Sequence, residues 1–93
     1  MFEARANDNG GLLLVGRLDA AQVDKAKKAF EVLQATTTVD CAELEYISSA
    51  GLGVIVITQK RLKKLDATLQ LINLSPHVRN VFHYAGLDAV FGL

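Results

Sequence analysis

The chain has 93 residues, of which 51% are hydrophobic, and its ten basic side chains balance its ten acidic ones. The even charge argues against a nucleic-acid-binding surface, and the hydrophobic content argues against a disordered tail. A chain of this length can bury one sizeable core, so we expect a single domain over residues 1–93.

Several sequence features narrow the class of protein. The longest apolar run, Val54–Ile57 with its flanks, is far shorter than the roughly 20 residues of a membrane-spanning helix. The first residues lack the pattern of a secretory signal, so we expect a cytoplasmic protein without a membrane span. Cys41, His77 and His83 do not have metal-ligand spacing, and Cys41 has no second cysteine to pair with. We expect a buried free thiol, no metal and no cofactor.

The amino-terminal third predicts a hairpin followed by a helix. Two short segments, Phe2–Ala6 and Leu12–Val15, flank a stretch rich in asparagine and glycine, which is typical of tight turns. Asp19, with Gln22 three residues later, resembles a capping box and predicts the start of a helix. Apolar residues then recur at helical spacing over 23–33.

The middle of the chain predicts a strand and then a long helix. Thr36–Cys41 is rich in β-branched residues and predicts a short strand. The aliphatic run Val54–Ile57 is ambiguous by itself, because propensity favours a buried strand whereas the residues after it favour a helix. We favour a helix from Ser49 to about Leu65, since a serine can cap it and its basic carboxyl end complements the helix dipole.

The last third predicts a strand, a helix and a terminal strand. Thr68–Ile72 suits a strand, and Val90–Leu93 leaves room for another. Between them, Ser75 and Pro76 supply an N-cap and a first helical residue, and Gly86 supplies a stop. The order of elements predicts an α/β fold, with about three helices packed on a mostly parallel sheet of about five strands whose amino-terminal strand is antiparallel.

The known catalytic and nucleotide-binding motifs are missing. The segment "ISSAG", which contains Ser48 and Ser49, departs from the Gly-x-Ser-x-Gly elbow, and both histidines fall on the last predicted helix. Gly51 and Gly53 fit neither a dinucleotide fingerprint nor a Walker loop. We therefore predict that the protein is not an enzyme, with a small hydrolase as a weak alternative.

What remains is a pair of serines at a predicted helix amino terminus. The free amides and the positive end of the helix dipole stabilise a negative charge placed there. A phosphate on Ser49 would add about 1.5 to 2 negative charges, enough to repel an acidic partner surface. Simple capping by Ser48 or Ser49, worth about 1 kcal/mol, is the interpretation that the residues alone favour.

Three segments together resemble one family. In chain order, "VGRLDAA", "DCAELEYISSAGLGVIVITQKRLKKL" and "INLSPHVRNVFHYAGLDAVF" are similar to segments of the STAS domain, the fold shared by bacterial anti-sigma factor antagonists and the tails of sulfate transporters. The resemblance covers essentially all 93 residues. It implies a STAS-like fold and favours a helix for the ambiguous aliphatic run.

The resemblance also assigns roles to individual residues. Antagonists of this kind typically carry Asp-Ser-Ser/Thr-Gly-Leu-Gly, in which the serine after the aspartate is phosphorylated. The match places Ser49 at that serine, Ser48 at the aspartate and Ala50 at the second hydroxyl residue, and Asp19 matches an acidic residue beside the site. The partner-binding surface implied by the family consists of Asp19, Ser48, Ser49, Ala50, Gly51, Leu52 and Gly53.

The function implied by the resemblance is that of a phosphorylation-switched anti-sigma factor antagonist. Unphosphorylated, it would bind a serine kinase that doubles as the anti-sigma factor; phosphorylated on Ser49, it would release it. A metal-dependent serine phosphatase would reset it. The alternative is a STAS subunit or scaffold of a transport or signalling complex, without phosphorylation. We expect no direct nucleic-acid contact and a monomer when free.

Gly51 and Gly53 have two interpretations in this context. They could keep the surface flat so that a kinase approaches Ser49 closely, or they could permit close packing of the helix on the sheet. The sequence leaves both interpretations open.

Overall fold

The computed structural model describes residues 1–93 and contains four strands and four α-helices. The strands are β1 (Phe2–Ala6), β2 (Leu12–Leu18), β3 (Thr37–Ile47) and β4 (Leu69–Ile72). The helices are α1 (Val23–Glu31), which follows a 3-10 turn at Ala20–Gln22, α2 (Ser49–Lys63), α3 (Pro76–Tyr84) and α4 (Asp88–Phe91). None of these helices has the length and apolar character required to cross a membrane.

The strands form one sheet in the order β1-β2-β3-β4, with β1 antiparallel to β2 and the other pairs parallel. The turn between β1 and β2 is held by the side chain of Asn7, which accepts hydrogen bonds from the amides of Asn9 and Gly11. Gly10 in this turn has a φ of 81°, which glycine adopts without steric cost. The predicted hairpin is thereby confirmed.

One face of the sheet is buried beneath the helices. A cluster of 19 buried hydrophobic residues includes members of every strand and every helix, so these elements share one core. Residues that point away from this core, such as Arg5, Arg17, Glu45 and Gln70, are exposed. This alternation is typical of a sheet that is packed on one face and solvated on the other.

The predicted terminal strand is wrong. Asp88–Phe91 forms helix α4 instead, and the sheet has four strands where about five were expected. The helical turn brings Phe91 against Phe82 in an edge-to-face contact, with ring centroids 5.4 Å apart. Gly92 then ends the helix with a φ of 67°. The core contact of Phe91 lies outside what local β-propensity measures.

Two other predictions differ in detail. The predicted short third strand is an 11-residue strand, because β3 is central and pairs with β2 as far as Leu18 and Ile47. The predicted capping box is absent: Asp19 accepts a hydrogen bond from the amide of Ala21 at the 3-10 turn, and Gln22 makes no side-chain cap bond. The N-capping role of Asp19 is confirmed, but at this turn and not at α1.

Three other predictions agree with the structure. The ambiguous aliphatic run lies within α2, Ser49–Lys63, as favoured. Helix α3 follows Ser75, has Pro76 at its start and ends before Gly86, whose φ is 74°. Cys41 is a buried free cysteine on β3.

Candidate functional site at the amino end of helix α2

The amino end of α2 is capped by Ser48. Its backbone is extended, with φ −86° and ψ 168°, and its Oγ accepts a hydrogen bond from the amide of Gly51 at 3.2 Å. Its carbonyl oxygen accepts a hydrogen bond from the amide of Leu52 at 2.8 Å. The capping function therefore belongs to Ser48, and the hydroxyl of Ser49 takes no part in it.

Ser49 is the first residue of α2, and its side chain is exposed. Since the amides of Gly51 and Leu52 bond to Ser48, those of Ser49 and Ala50 are the two in the first turn without a backbone or cap partner. The positive end of the helix dipole lies at the same place. Free amides and dipole together favour an anion at this position.

Asp19 lies beside this helix end because β2 and β3 run parallel and end at the same edge of the sheet. Leu18 pairs with Ile47, and the carbonyl oxygen of Leu18 accepts a hydrogen bond from the amide of Ser48 at 2.9 Å. This bond holds the two strand ends together. Only one carboxylate oxygen of Asp19, Oδ1, caps the following turn, so capping is compatible with contact to a partner through Oδ2.

The two glycines of α2 have different roles. Gly51 is buried, and a Cβ atom there would lie 2.6 Å from Cγ of Leu18 and 2.8 Å from its carbonyl oxygen. Gly53 is half-exposed, and a Cβ atom there would meet nothing within 4 Å. Gly51 thus permits the close approach of α2 to β2, whereas packing places no such demand on Gly53.

Burial divides the predicted partner-binding residues into two groups. Gly51 and Leu52 are buried, and Leu52, which is 8% exposed, belongs to the hydrophobic core. They position the helix end and present almost no surface to a partner. The predicted partner surface therefore narrows to the exposed and half-exposed members, which are Asp19, Ser48, Ser49, Ala50 and Gly53.

Two residues beside the site carry no local sequence signal. Arg17 and Tyr46 pair across β2 and β3, one position before Leu18 and Ile47. The guanidinium carbon of Arg17 lies 4.4 Å from the centroid of the Tyr46 ring, in a cation–π contact. Only the register of the two strands brings them together, so periodicity along the chain could not have identified the pair.

The site lacks the arrangement that a nucleophilic serine requires. Nδ1 of His83 lies 2.6 Å from Oδ2 of Asp88, and no histidine is hydrogen-bonded to Ser48 or Ser49. A catalytic serine needs a base within hydrogen-bond reach. Ser48 and Ser49 therefore lack the hydrogen-bonded histidine base that the weak alternative, a small hydrolase, would use.

Cys41 is not a reactive nucleophile either. Its side chain is buried in β3, and burial, with a smaller contribution from the charge of Asp40, raises the pKa of the Cys41 thiol to about 12. At neutral pH the thiol is therefore protonated, and the thiolate is the form that reacts.

The fold and the site define a small α/β domain that presents an unengaged serine at the start of a helix. The chain belongs to the STAS domain family: the family model described as "Mlab, STAS domain" matches residues 1–93.

Two relatives show what this chain is similar to. It is 32% identical over 93 residues to the anti-sigma-B factor antagonist of Listeria monocytogenes, covering 96% of this chain and 82% of that protein. It is 40% identical over 72 residues, 77% of this chain, to BtrV of Bordetella bronchiseptica, whose name assigns it provisionally to the anti-sigma factor antagonists. The aligned part spans 56% of the length of BtrV. These names describe regulatory antagonists, in agreement with the prediction that the chain is not an enzyme.

The fold is similar to that of the anti-sigma factor antagonist SpoIIAA. Its unphosphorylated form superimposes with a TM-score of 0.74 at 21% identity, covering 100% of this chain and 98% of that one. The phosphorylated form from Bacillus gives a TM-score of 0.70, also at 21% identity, covering 96% and 86%. This likeness confirms the predicted STAS-like fold.

Proposed function

We propose that the protein is an anti-sigma factor antagonist that is switched by phosphorylation of Ser49. In its unphosphorylated form it binds a serine kinase that also acts as the anti-sigma factor. The phosphorylated form releases this partner, and a metal-dependent serine phosphatase restores the binding form.

The observation that carries this proposal is that Ser48 caps helix α2 while the hydroxyl of Ser49 is exposed and takes no part in the cap. Ser48 supplies the cap, so phosphorylation of Ser49 leaves the cap intact. The phosphate is added where two amides, those of Ser49 and Ala50, lack partners. An anion at this position is compatible with the fold. The domain can therefore be modified without unfolding.

Release of the partner follows from charge and desolvation. A phosphoserine carries about 1.5 to 2 negative charges, which repel an acidic surface and resist burial in an apolar one. Moving a binding equilibrium from 1:99 to 99:1 takes about 5.5 kcal/mol of differential affinity. A change of this size requires the phosphate to fall inside the interface, which places Ser49 near its centre.

The comparisons support the antagonist part of the proposal. The Listeria relative is named as an anti-sigma-B factor antagonist, and the chain aligns with 82% of its length. SpoIIAA, an anti-sigma factor antagonist of the same fold, has been solved in a phosphorylated form.

The direct test is phosphate transfer. We expect that incubation with ATP and the serine kinase that acts as the anti-sigma factor in the same organism, here called the switch kinase, adds one phosphate. Fragmentation by mass spectrometry should locate this phosphate on Ser49. Ser49→Ala should remain unmodified, whereas Ser48→Ala should still accept the phosphate because Ser48 serves the cap. The modified protein should no longer co-elute with the kinase.

Two results would contradict the proposal. If the kinase binds the protein but transfers no phosphate, the domain is a STAS subunit or scaffold without phosphorylation control. If phosphorylation of Ser49 leaves the affinity unchanged, Ser49 lies outside the interface and the proposed switch fails.

A further inference from the structure

The guanidinium of Arg17 lies over the ring of Tyr46 at the ends of β2 and β3. The guanidinium carbon lies 4.4 Å from the ring centroid, Arg17 is exposed, and Tyr46 is half-buried. The ring contact restricts the arginine to one region of the surface before any partner arrives. Restricting a flexible side chain in advance lowers the entropy cost of binding through it.

The guanidinium donors of Arg17 have no hydrogen-bond partner within the protein, although its backbone amide donates to the carbonyl oxygen of Met1. Arg5, by contrast, is paired with Glu3, and the guanidinium of Arg61 donates to two carbonyl oxygens at the end of α1. Arg17 takes part in neither of the two ion pairs of the molecule and in no side-chain hydrogen bond. Since its N–H groups have no side-chain partner, the Arg17 guanidinium over the Tyr46 ring can donate two parallel hydrogen bonds to a carboxylate.

The pair adjoins the proposed docking surface. Arg17 is two residues before Asp19, and Tyr46 is two residues before Ser48. Two strand residues span about 7 Å. A standard interface buries about 800 Å² on each partner, a patch roughly 30 Å across. A partner centred on Ser49 therefore needs to extend only slightly over the end of the sheet to reach Arg17.

We propose that Arg17, held by Tyr46, binds a carboxylate side chain of the protein partner. Arginine and tyrosine are among the residue types that most often dominate binding energy at interfaces. This inference rests on the proposed function and identifies the chemistry of the partner surface as acidic. A phosphate added to Ser49 brings negative charge to the same region, so it repels the group that Arg17 attracts.

The test compares the affinities of variants for the purified switch kinase, by titration calorimetry with unphosphorylated protein. We expect Arg17→Gln to weaken binding at least tenfold and Arg17→Lys to weaken it less, because lysine keeps the charge but loses the planar fork. Tyr46→Leu should weaken binding severalfold, whereas Tyr46→Phe, which keeps the ring face, should bind within about twofold of the unchanged protein. Arg17→Gln should also reduce the dependence of the Kd on salt.

Arg5→Gln is the matched control. It removes the same charge from the same open face of the sheet, but Arg5 pairs with Leu13 at the other end of β2. We expect it to bind within twofold of the unchanged protein.

Three outcomes would overturn the inference. Unchanged affinity and salt dependence in Arg17→Gln would do so while leaving the proposed function intact, provided that Ser49→Asp still weakens binding. Equal losses in Arg17→Gln and Arg5→Gln would show a general charge effect without an anchor at Arg17. Failure of the unchanged protein to bind the kinase at all would instead overturn the proposed function, and this inference with it.

Discussion

The amino ends of α2 and α3 have the same kind of serine cap but differ in the residues that follow it. Ser48 accepts a hydrogen bond from the amide of Gly51 at 3.2 Å, and Ser75 accepts one from the amide of Val78 at 3.2 Å. Both capping residues are extended, with ψ values of 168° and 158°. The cap is therefore a structural device that the two helices have in common, and it does not by itself mark a functional site.

The residues that follow the cap make the difference. In α2 the next residue is Ser49, with an exposed hydroxyl, whereas in α3 it is Pro76, which has none. Three residues after the cap, α2 has Gly51, which lets the helix approach Leu18 closely, whereas α3 has the buried side chain of Val78. The amino end of α2 therefore packs against the end of β2, and the residue after that strand, Asp19, brings a carboxylate beside it.

The largest expected effect concerns the partner. Ser49→Asp should weaken kinase binding by at least a hundredfold, as a partial mimic of the phosphate, with a stability change within about 1 kcal/mol because an acidic residue is tolerated at a helix amino terminus. Calorimetric binding and thermal melts measure the two quantities. A large fall in melting temperature with binding intact would contradict the prediction.

A variant of α3 sharpens this first comparison. Pro76→Ser gives α3 a hydroxyl at the position that Ser49 occupies in α2. We expect the kinase to leave it unmodified, as shown by mass spectrometry, because α3 lacks the neighbouring surface of α2. Phosphorylation of both helix ends would mean that a capped helix with an exposed serine is sufficient.

High pH should destabilise the core that both helices share. Burial raises the pKa of Cys41 to about 12 in the folded chain, whereas the pKa of a cysteine in an unfolded chain is about 8.5. Between these two pKa values the unfolded chain has lost the thiol proton that the folded chain keeps, so the free energy of unfolding falls as the pH rises. The contribution of this thiol to the slope is up to about 1.4 kcal/mol per pH unit, and it ends at about pH 12. Urea titrations followed by circular dichroism measure this slope.

Cys41→Ala is the control for the pH titration, because other groups also ionise in this range. The difference in slope between the two proteins isolates the thiol. Equal slopes would mean that Cys41 ionises freely in the folded state.

Alanine substitutions of the two glycines of α2 should change stability in opposite directions. Gly51→Ala should lower the free energy of unfolding by about 1 to 3 kcal/mol, because the new methyl group meets the backbone oxygen of Leu18. Gly53→Ala, in open space on the same helix, should raise it by roughly 0.5 to 1 kcal/mol. Urea unfolding measures both, and a neutral Gly51→Ala would show that α2 can move away from β2 at little cost.

A small loss of stability should be common to the amino ends of α2 and α3. Ser48→Ala and Ser75→Ala should each lower the free energy of unfolding by about 1 kcal/mol, since each removes one cap bond of the same length. Thermal melts of the two variants measure this. A much larger loss for Ser48→Ala would show that Ser48 supports more than the helix end.

Predictions from the sequence were most accurate where a few neighbouring residues decide the structure. The turn with Asn7 and Gly10, and the start of α3 at Ser75 and Pro76, follow from bonds that span only a few positions. The predicted terminal strand was wrong because helix α4 includes Phe91, whose aromatic contact is made with a different helix.

For the candidate site, the sequence by itself determined the chemistry: a serine pair before a Gly-Leu-Gly segment, which resembles one family along the whole chain. Only the tertiary structure decided that Ser48 is the cap while the hydroxyl of Ser49 is free, that packing requires glycine at 51 but not at 53, and that the Arg17 guanidinium lies over the Tyr46 ring. The physical reason is that side-chain types are fixed residue by residue. Close approaches depend on how β2, β3 and α2 pack, and that packing joins parts of the chain that are distant in sequence.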